Sequence, residues 1–183
     1  FSTQPPNSIA AGATFGTAVT VTNSFGDPVP GQTVTLTLTG PGTLSGVLTA
    51  TTDSAGVATY SGLSLDFIGT KTLTATAGVL TATSNPITVA AAAANRVAFL
   101  TQPPNSISIG NTFATVVAVQ DVFGNPVVGQ SVTLSLSGTG TLFGTLTVIA
   151  DSGGTASFTG LSIDTAGTKT LTATAGVATG TSN

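Results

Sequence analysis

Two lysines and six aspartates carry nearly all the side-chain chemistry available to this chain of 183 residues. Lys71 stands five residues after Asp66, and Lys169 five after Asp164. Such a pair supports one of two arrangements. In the first, the lysine stem lies over apolar surface while the ammonium reaches water or the carboxylate. In the second, a desolvated amine attacks a protonated acid and forms an intramolecular isopeptide bond, which lowers the intact mass by one water, or by one ammonia where asparagine is the partner. The remaining acids, Asp27, Asp53, Asp121 and Asp151, are scattered, and no segment has the alternating oxygen ligands of a calcium loop, so turn and cap roles are expected and no metal.

Histidine, cysteine, methionine, tryptophan and glutamate are absent. Their absence removes the usual soft metal ligands, a thiol nucleophile, an imidazole base and any disulfide. Three basic side chains against six acidic ones give a net charge of −3, and only 5% of residues are charged, where roughly 25% is ordinary. No basic surface is available to neutralise phosphates, so nucleic acid is not an expected partner. Neither a cofactor nor an enzymatic activity is expected. Gly40-Pro41-Gly42-Thr43-Leu44-Ser45-Gly46 and its copy Gly138 to Gly144 imitate a dinucleotide loop, but the last glycine comes one residue late and no helix follows. In Gly69-Thr70-Lys71-Thr72 the lysine does not directly follow the glycine, and a strand pattern continues from it. Both read as hairpin or loop glycines.

The elements that hold these residues have a period of two. Val34, Leu36 and Leu38 alternate with Thr33, Thr35, Thr37 and Thr39, and Val132, Leu134 and Leu136 repeat the pattern. Phe15, Thr17, Val19 and Val21 form a second inward row, copied at Phe113, Thr115, Val117 and Val119. Leu73, Ala75 and Ala77 form a third, copied at Leu171, Ala173 and Ala175. Alternation places one face in a core and the other in water, and 38 threonines favour strand over helix because the branched β-carbon crowds a helical turn. Asp53-Ser54-Ala55-Gly56 and Asp151-Ser152-Gly153-Gly154 have the aspartate-first, glycine-fourth form of a type I turn. Pro28 and Pro126, each in a Gly-x-Pro context, mark a chain-reversing loop.

The chain is a gapless duplication at an offset of 98, with roughly 54 of 85 aligned positions identical. The fold class expected is all-β, as two tandem immunoglobulin-like antiparallel β-sandwiches, with repeat 1 over 1–90, a short extended linker over 91–95 that limits rotation, and repeat 2 over 96–183. Repeat 1 has no counterpart of Arg96-Val97-Ala98 before Phe1, and repeat 2 ends at Asn183 without a counterpart of Ile87-Thr88-Val89. These incomplete ends are expected where a piece is cut from a longer array, or where strands are donated between neighbours. The longest apolar run, Val89 to Ala94, is far short of the ~20 residues of a spanning helix. The start at Phe1 without a leader is consistent with a targeting segment removed or lying elsewhere.

Asp121-Val122-Phe123-Gly124-Asn125-Pro126-Val127-Val128-Gly129, followed by Ala150-Asp151-Ser152-Gly153-Gly154-Thr155-Ala156 and by Gly167 to Ala175, resembles the bacterial immunoglobulin-like repeats of the invasin and intimin type. It is most similar to the Thr-Gln-Pro-initiated variants of large prokaryotic surface proteins. Repeat 1 departs by exchanging amide and carboxylate, with Asn23 and Asp27 where repeat 2 has Asp121 and Asn125, and the repeats carry Lys71 and Lys169 where an aromatic or apolar residue is common in similar repeats. The resemblance implies a stalk, filament or adhesin-shaft module outside a prokaryotic cell, with further repeats or copies of itself as partners. The alternative is a module that recognises a receptor or glycan through loops at one end of a sandwich. Phe1, Phe15, Phe25 and their copies Phe99, Phe113 and Phe123 are expected in core or rim packing. Phe1, Phe67 and Phe143 are the candidate interface aromatics, Phe143 because Ser45 stands at its place in repeat 1.

Overall fold

A computed structural model describes residues 1–183, which form strands, turns and no helix. The chain divides into two compact units, Phe1–Ala90 and Ala91–Asn183. In the first, the strands are β1 (Ser8–Ala10), β2 (Phe15–Thr20), β3 (Thr33–Thr39), β4 (Leu44–Ser45), β5 (Thr49–Thr51), β6 (Val57–Leu65), β7 (Gly69–Ala77), β8 (Leu80–Thr83) and β9 (Ile87–Ala90). One sheet has the order β2-β6-β4, and the other β1-β9-β7-β3-β5 with β8 also on β7. Strand β7 changes partner along its length, pairing β9 at Gly69–Lys71 and β8 at Thr74–Ala77. All pairs are antiparallel except β1 with β9, which run parallel.

The second unit contains β10 (Arg96–Thr101), β11 (Phe113–Gln120), β12 (Ser131–Ser137), β13 (Leu142–Phe143), β14 (Thr147–Ile149), β15 (Thr155–Ile163), β16 (Thr170–Ala175) and β17 (Ala178–Thr181). Its sheets are β10-β11-β15-β13 and β14-β12-β16-β17. Residues 91–95 belong to this unit: the Ala92 amide donates to Asp121 Oδ2 at 3.0 Å and the Asn95 amide to the Gln120 carbonyl at 2.9 Å.

Register follows the duplication. Leu36 faces Ala75 and Leu38 faces Leu73, as Leu134 faces Ala173 and Leu136 faces Leu171. The inward rows of both sheets meet in one core per unit. Val34, Leu36, Leu73 and Ala75 are buried together with Val19, Tyr60, Leu63 and Leu65 in the first, and Val132, Leu134, Leu171 and Ala173 pack with Val117, Val119, Phe158 and Leu161 in the second. Each such aliphatic or aromatic side chain, once buried, contributes on the order of 1.5–3 kcal/mol before entropy is counted. Two face-to-face sheets of this order form an immunoglobulin-like sandwich.

Two aromatics depart from expectation. Phe15 is buried, but Phe25 is 89% exposed. It occupies the tight turn closed by the Gly26 amide on the Asn23 carbonyl, where its own amide bonds Asn23 Oδ1 and its ring has no sheet to cover it. Phe123, at the same place in the second unit, is also exposed.

Candidate interaction surfaces

Parity puts Lys71 on the inward face of β7, and the structure buries it to 2% exposure. Its ammonium donates to the Ile68 carbonyl at 3.0 Å and lies 5.3 Å from the centre of the Phe67 ring, within cation–π range. Asp66 Oδ1 accepts the Thr43 amide at 2.6 Å. The Gly42 turn that brings this amide in has φ +103, and a Cβ there would come within 2.6 Å of the Phe67 Cβ. In the copy, Lys169 donates to Thr139 Oγ1 at 2.9 Å and to the Ala166 carbonyl at 3.3 Å, while Asp164 Oδ1 accepts the Thr141 amide at 2.7 Å. Thr165 replaces Phe67 and donates to the Thr139 carbonyl. The lysine corner is therefore aromatic in one unit and hydroxylic in the other.

The carboxylates are taken up by their own loops. Asp53 Oδ1 accepts the amides of Ala55 and Val57, and Asp151 Oδ1 those of Gly153 and Thr155. Gly56 and Gly154 close these turns at φ 71 and 69; a Cβ on Gly56 would come within 2.7 Å of the Val21 carbonyl oxygen. Pro28 and Pro126 bridge Thr22 and Gln120 across the neighbouring loop. The Thr155 amide and hydroxyl, with the Gly153 amide, hold the Asp151 carboxyl below its ordinary range, and the Thr141 amide does the same for Asp164. No three acidic side chains gather at one point.

The loop with the exchanged amide and carboxylate differs more. In the first unit, Asn23 and Asp27 bond each other at the surface, 3.1 Å apart. In the second, Asp121 and Asn125 are buried. Burial acts to raise the Asp121 pKa, but the Asn125 side-chain amide and the backbone amides of Ala92, Asn125 and Phe123 outweigh it, so the carboxyl titrates below its usual range.

Of the candidate interface aromatics, Phe67 and Phe143 are exposed and Phe1 is half-buried. A concavity lies elsewhere. A cleft of about 830 Å³ opens in the second unit between Ser106–Ser108 and Gly167–Lys169, with Phe113, Ile163 and Leu171 in its walls.

These units define a tandem immunoglobulin-like sandwich protein. No family model and no curated protein matches the chain. Among solved structures, the D0-D1 domains of intimin match at 21% identity and a TM-score of 0.40, covering 96% of this chain and 91% of that one. The adhesin FdeC of Escherichia coli matches at 16% identity and 0.49, and domains 4 and 5 of the S-layer protein SbsC at 17% and 0.42. These cover 93% and 81% of this chain, and 56% and 73% of the chains they match. The chain thus spans just over half of FdeC.

Proposed function

We propose that the chain is a spacer of an extracellular prokaryotic filament, stalk or adhesin shaft, built to hold length and to associate end to end or laterally with further repeats. The observation that carries this reading is how the polar groups are used. Asp53, Asp66, Asp121, Asp151 and Asp164 accept backbone amides of loops, Asp27 accepts an asparagine amide, and threonine rows cover the outward faces. Charged groups employed in fixing turns stabilise the unit against deformation, and a nearly neutral hydroxyl surface allows like copies to approach without strong repulsion.

Imaging native surface material with an antibody raised against the full chain tests the reading. Labelled threads or fibres with a regular repeat are expected. Label confined to isolated particles or to the distal tip of another structure would overturn it and favour the receptor- or glycan-binding alternative.

A further inference from the structure

Along one flank of each sandwich an outer strand of one sheet lies next in sequence to an outer strand of the other. In the second unit these are β13 and β14, both from the uncharged, proline-free segment Leu142 to Ala150; in the first they are β4 and β5. The two flanks share a backbone. The Leu134 amide donates to the Leu146 carbonyl and the Ala150 amide to the Gln130 carbonyl, as Leu36 does to Leu48 and Thr52 to Gln32. Their side chains differ: Phe143, Val148 and Ile149 stand where the first unit has Ser45, Ala50 and Thr51. Phe143 and Ile149 are 50% and 59% exposed, so core packing does not account for the exchange.

An outer strand pairs readily with another chain unless charge, proline or a bulge guards it. β14 has none of these. It is Thr147-Val148-Ile149, and its register with β12 runs unbroken from Ser131 opposite Ile149 to Thr133 opposite Thr147. Because the bonds to β12 flank it at Leu146 and Ala150, the alternation of an antiparallel ladder directs the amides and carbonyls of Thr147 and Ile149 away from β12. This edge is self-complementary. With a two-fold axis through Val148, Thr147 of each copy meets Ile149 of the other, and the outward groups close four hydrogen bonds. The nearest acid along the chain, Asp151, is held by its own turn. It would lie about 20 Å from its counterpart, well beyond the ~8 Å over which charges act at physiological ionic strength.

We propose that β14 is a docking edge for β14 of a second copy of this chain, continuing the four-stranded sheet β14-β12-β16-β17 across a two-fold axis. The inference deepens the lateral-association part of the spacer reading and rests on it. A three-residue edge buries less than the roughly 1,200 Å² of a stable pair. Association is therefore weak between free chains and strong where neighbouring chains are held alongside one another. The β5 edge offers the same backbone without the apolar side chains that would favour it.

The chain has no cysteine, so a single introduced thiol reports the contact. In the paired geometry Val148 faces Val148 of the other copy at a non-hydrogen-bonded position, with Cα atoms about 4.5 Å apart, within reach of a disulfide. Full-length Val148→Cys and Ala50→Cys are compared under the same mild oxidant. Expected is a disulfide-linked, folded dimer of Val148→Cys forming about tenfold or more faster than that of Ala50→Cys, and slowed as much by adding Ile149→Lys. Should Val148→Cys lower the melting midpoint, a mixture of Thr147→Cys and Ile149→Cys gives a second reading, because those positions face each other: the mixed dimer is expected to dominate both homodimers. Equal rates at 148 and 50, an unbiased mixture, or cross-linking confined to unfolded material would overturn the proposal. Regular threads in native material together with equal cross-linking rates would remove this edge alone and leave the spacer reading standing.

Discussion

The two units share about 54 of 85 aligned residues and one register, and they differ at particular positions within it. Within residues 1–183, β1 pairs β9 and β9 pairs β7 in the first unit, whose β2 pairs β6, and in the second β10 pairs β11, from Arg96 opposite Gln120 to Thr101 opposite Val116. A Cβ on Gly180 in β17 would collide with the backbone carbonyl of Val97 in β10, whereas Ala82 stands at the same place in the first unit, in an exposed β8.

The largest effect should come from removing the closing strand's anchor. Ile87→Ala deletes a fully buried side chain and should destabilise the first unit by about 2–5 kcal/mol. Hydrogen exchange read by mass spectrometry resolves the units separately, and protection should fall across β7 and β9 while the second unit is unmoved. In the unaltered chain the amides of Gly167–Lys169 should already exchange faster than those of Gly69–Lys71, which face β9. Equal protection at the two sites would erase the contrast between the units.

Next in size is the steric exchange. Gly180→Ala should destabilise the second unit by about 1–3 kcal/mol, because a backbone carbonyl, unlike a side-chain end, cannot turn aside. Ala82→Gly should weaken the first unit by only about 0.5–1 kcal/mol, through chain entropy. A Gly180→Ala midpoint no lower than that of the parent chain would mean that β10 can lift away from β17 without loss.

Much of this was legible in the residues. Period-two alternation placed Val34, Leu36, Leu73 and Ala75 in the core, and parity alone put Lys71 on the inward face. What periodicity cannot supply is the partner. Ser8-Ile9-Ala10 is too short to declare itself a strand and becomes one through a parallel pairing about 80 residues away in sequence. Asp121 looks like any loop acid; its burial depends on the Ala92 amide, contributed by an alanine run that carries no polar side chain until Asn95. Phe25 failed for the converse reason, since its equivalence to Phe123 reflects a shared turn and no shared packing.

The buried Asp121 loop gives the third prediction. Asp121→Ala removes the acceptor of three buried or part-buried backbone amides and of one Asn125 side-chain hydrogen bond, and should cost about 1–3 kcal/mol, against less for Asn23→Ala at the exposed counterpart. The same carboxylate sets the acid response. Its folded pKa lies below that of the unfolded chain, so its contribution is complete above the ordinary aspartate range and is lost as pH falls through the folded value. Asp151 and Asp164 shift the same way. With no histidine or glutamate in the chain, the second unit's melting midpoint should be flat from about pH 5 to 9 and decline below about pH 4. A steep change inside the flat window would contradict this.

The smallest effect probes the one core position where the units differ by a single oxygen. The Tyr60 hydroxyl donates to the Val34 carbonyl at 2.7 Å, and Phe158 fills the equivalent site. The second unit therefore shows that the same core accepts the bare ring, and Tyr60→Phe should cost no more than about 1 kcal/mol, the usual net worth of one hydrogen bond. Its signature is in alkali. Burial raises the Tyr60 pKa, only partly opposed by backbone hydrogen bonding. The unfolded chain then gives up its phenol proton first, and stability present below about pH 10 is lost as pH rises through the folded value. The first unit should weaken in alkali through this group, the second has no tyrosine to do so, and Tyr60→Phe should remove that part of the difference. An alkaline midpoint of the first unit that falls as steeply in the variant as in the parent would show that another group controls it.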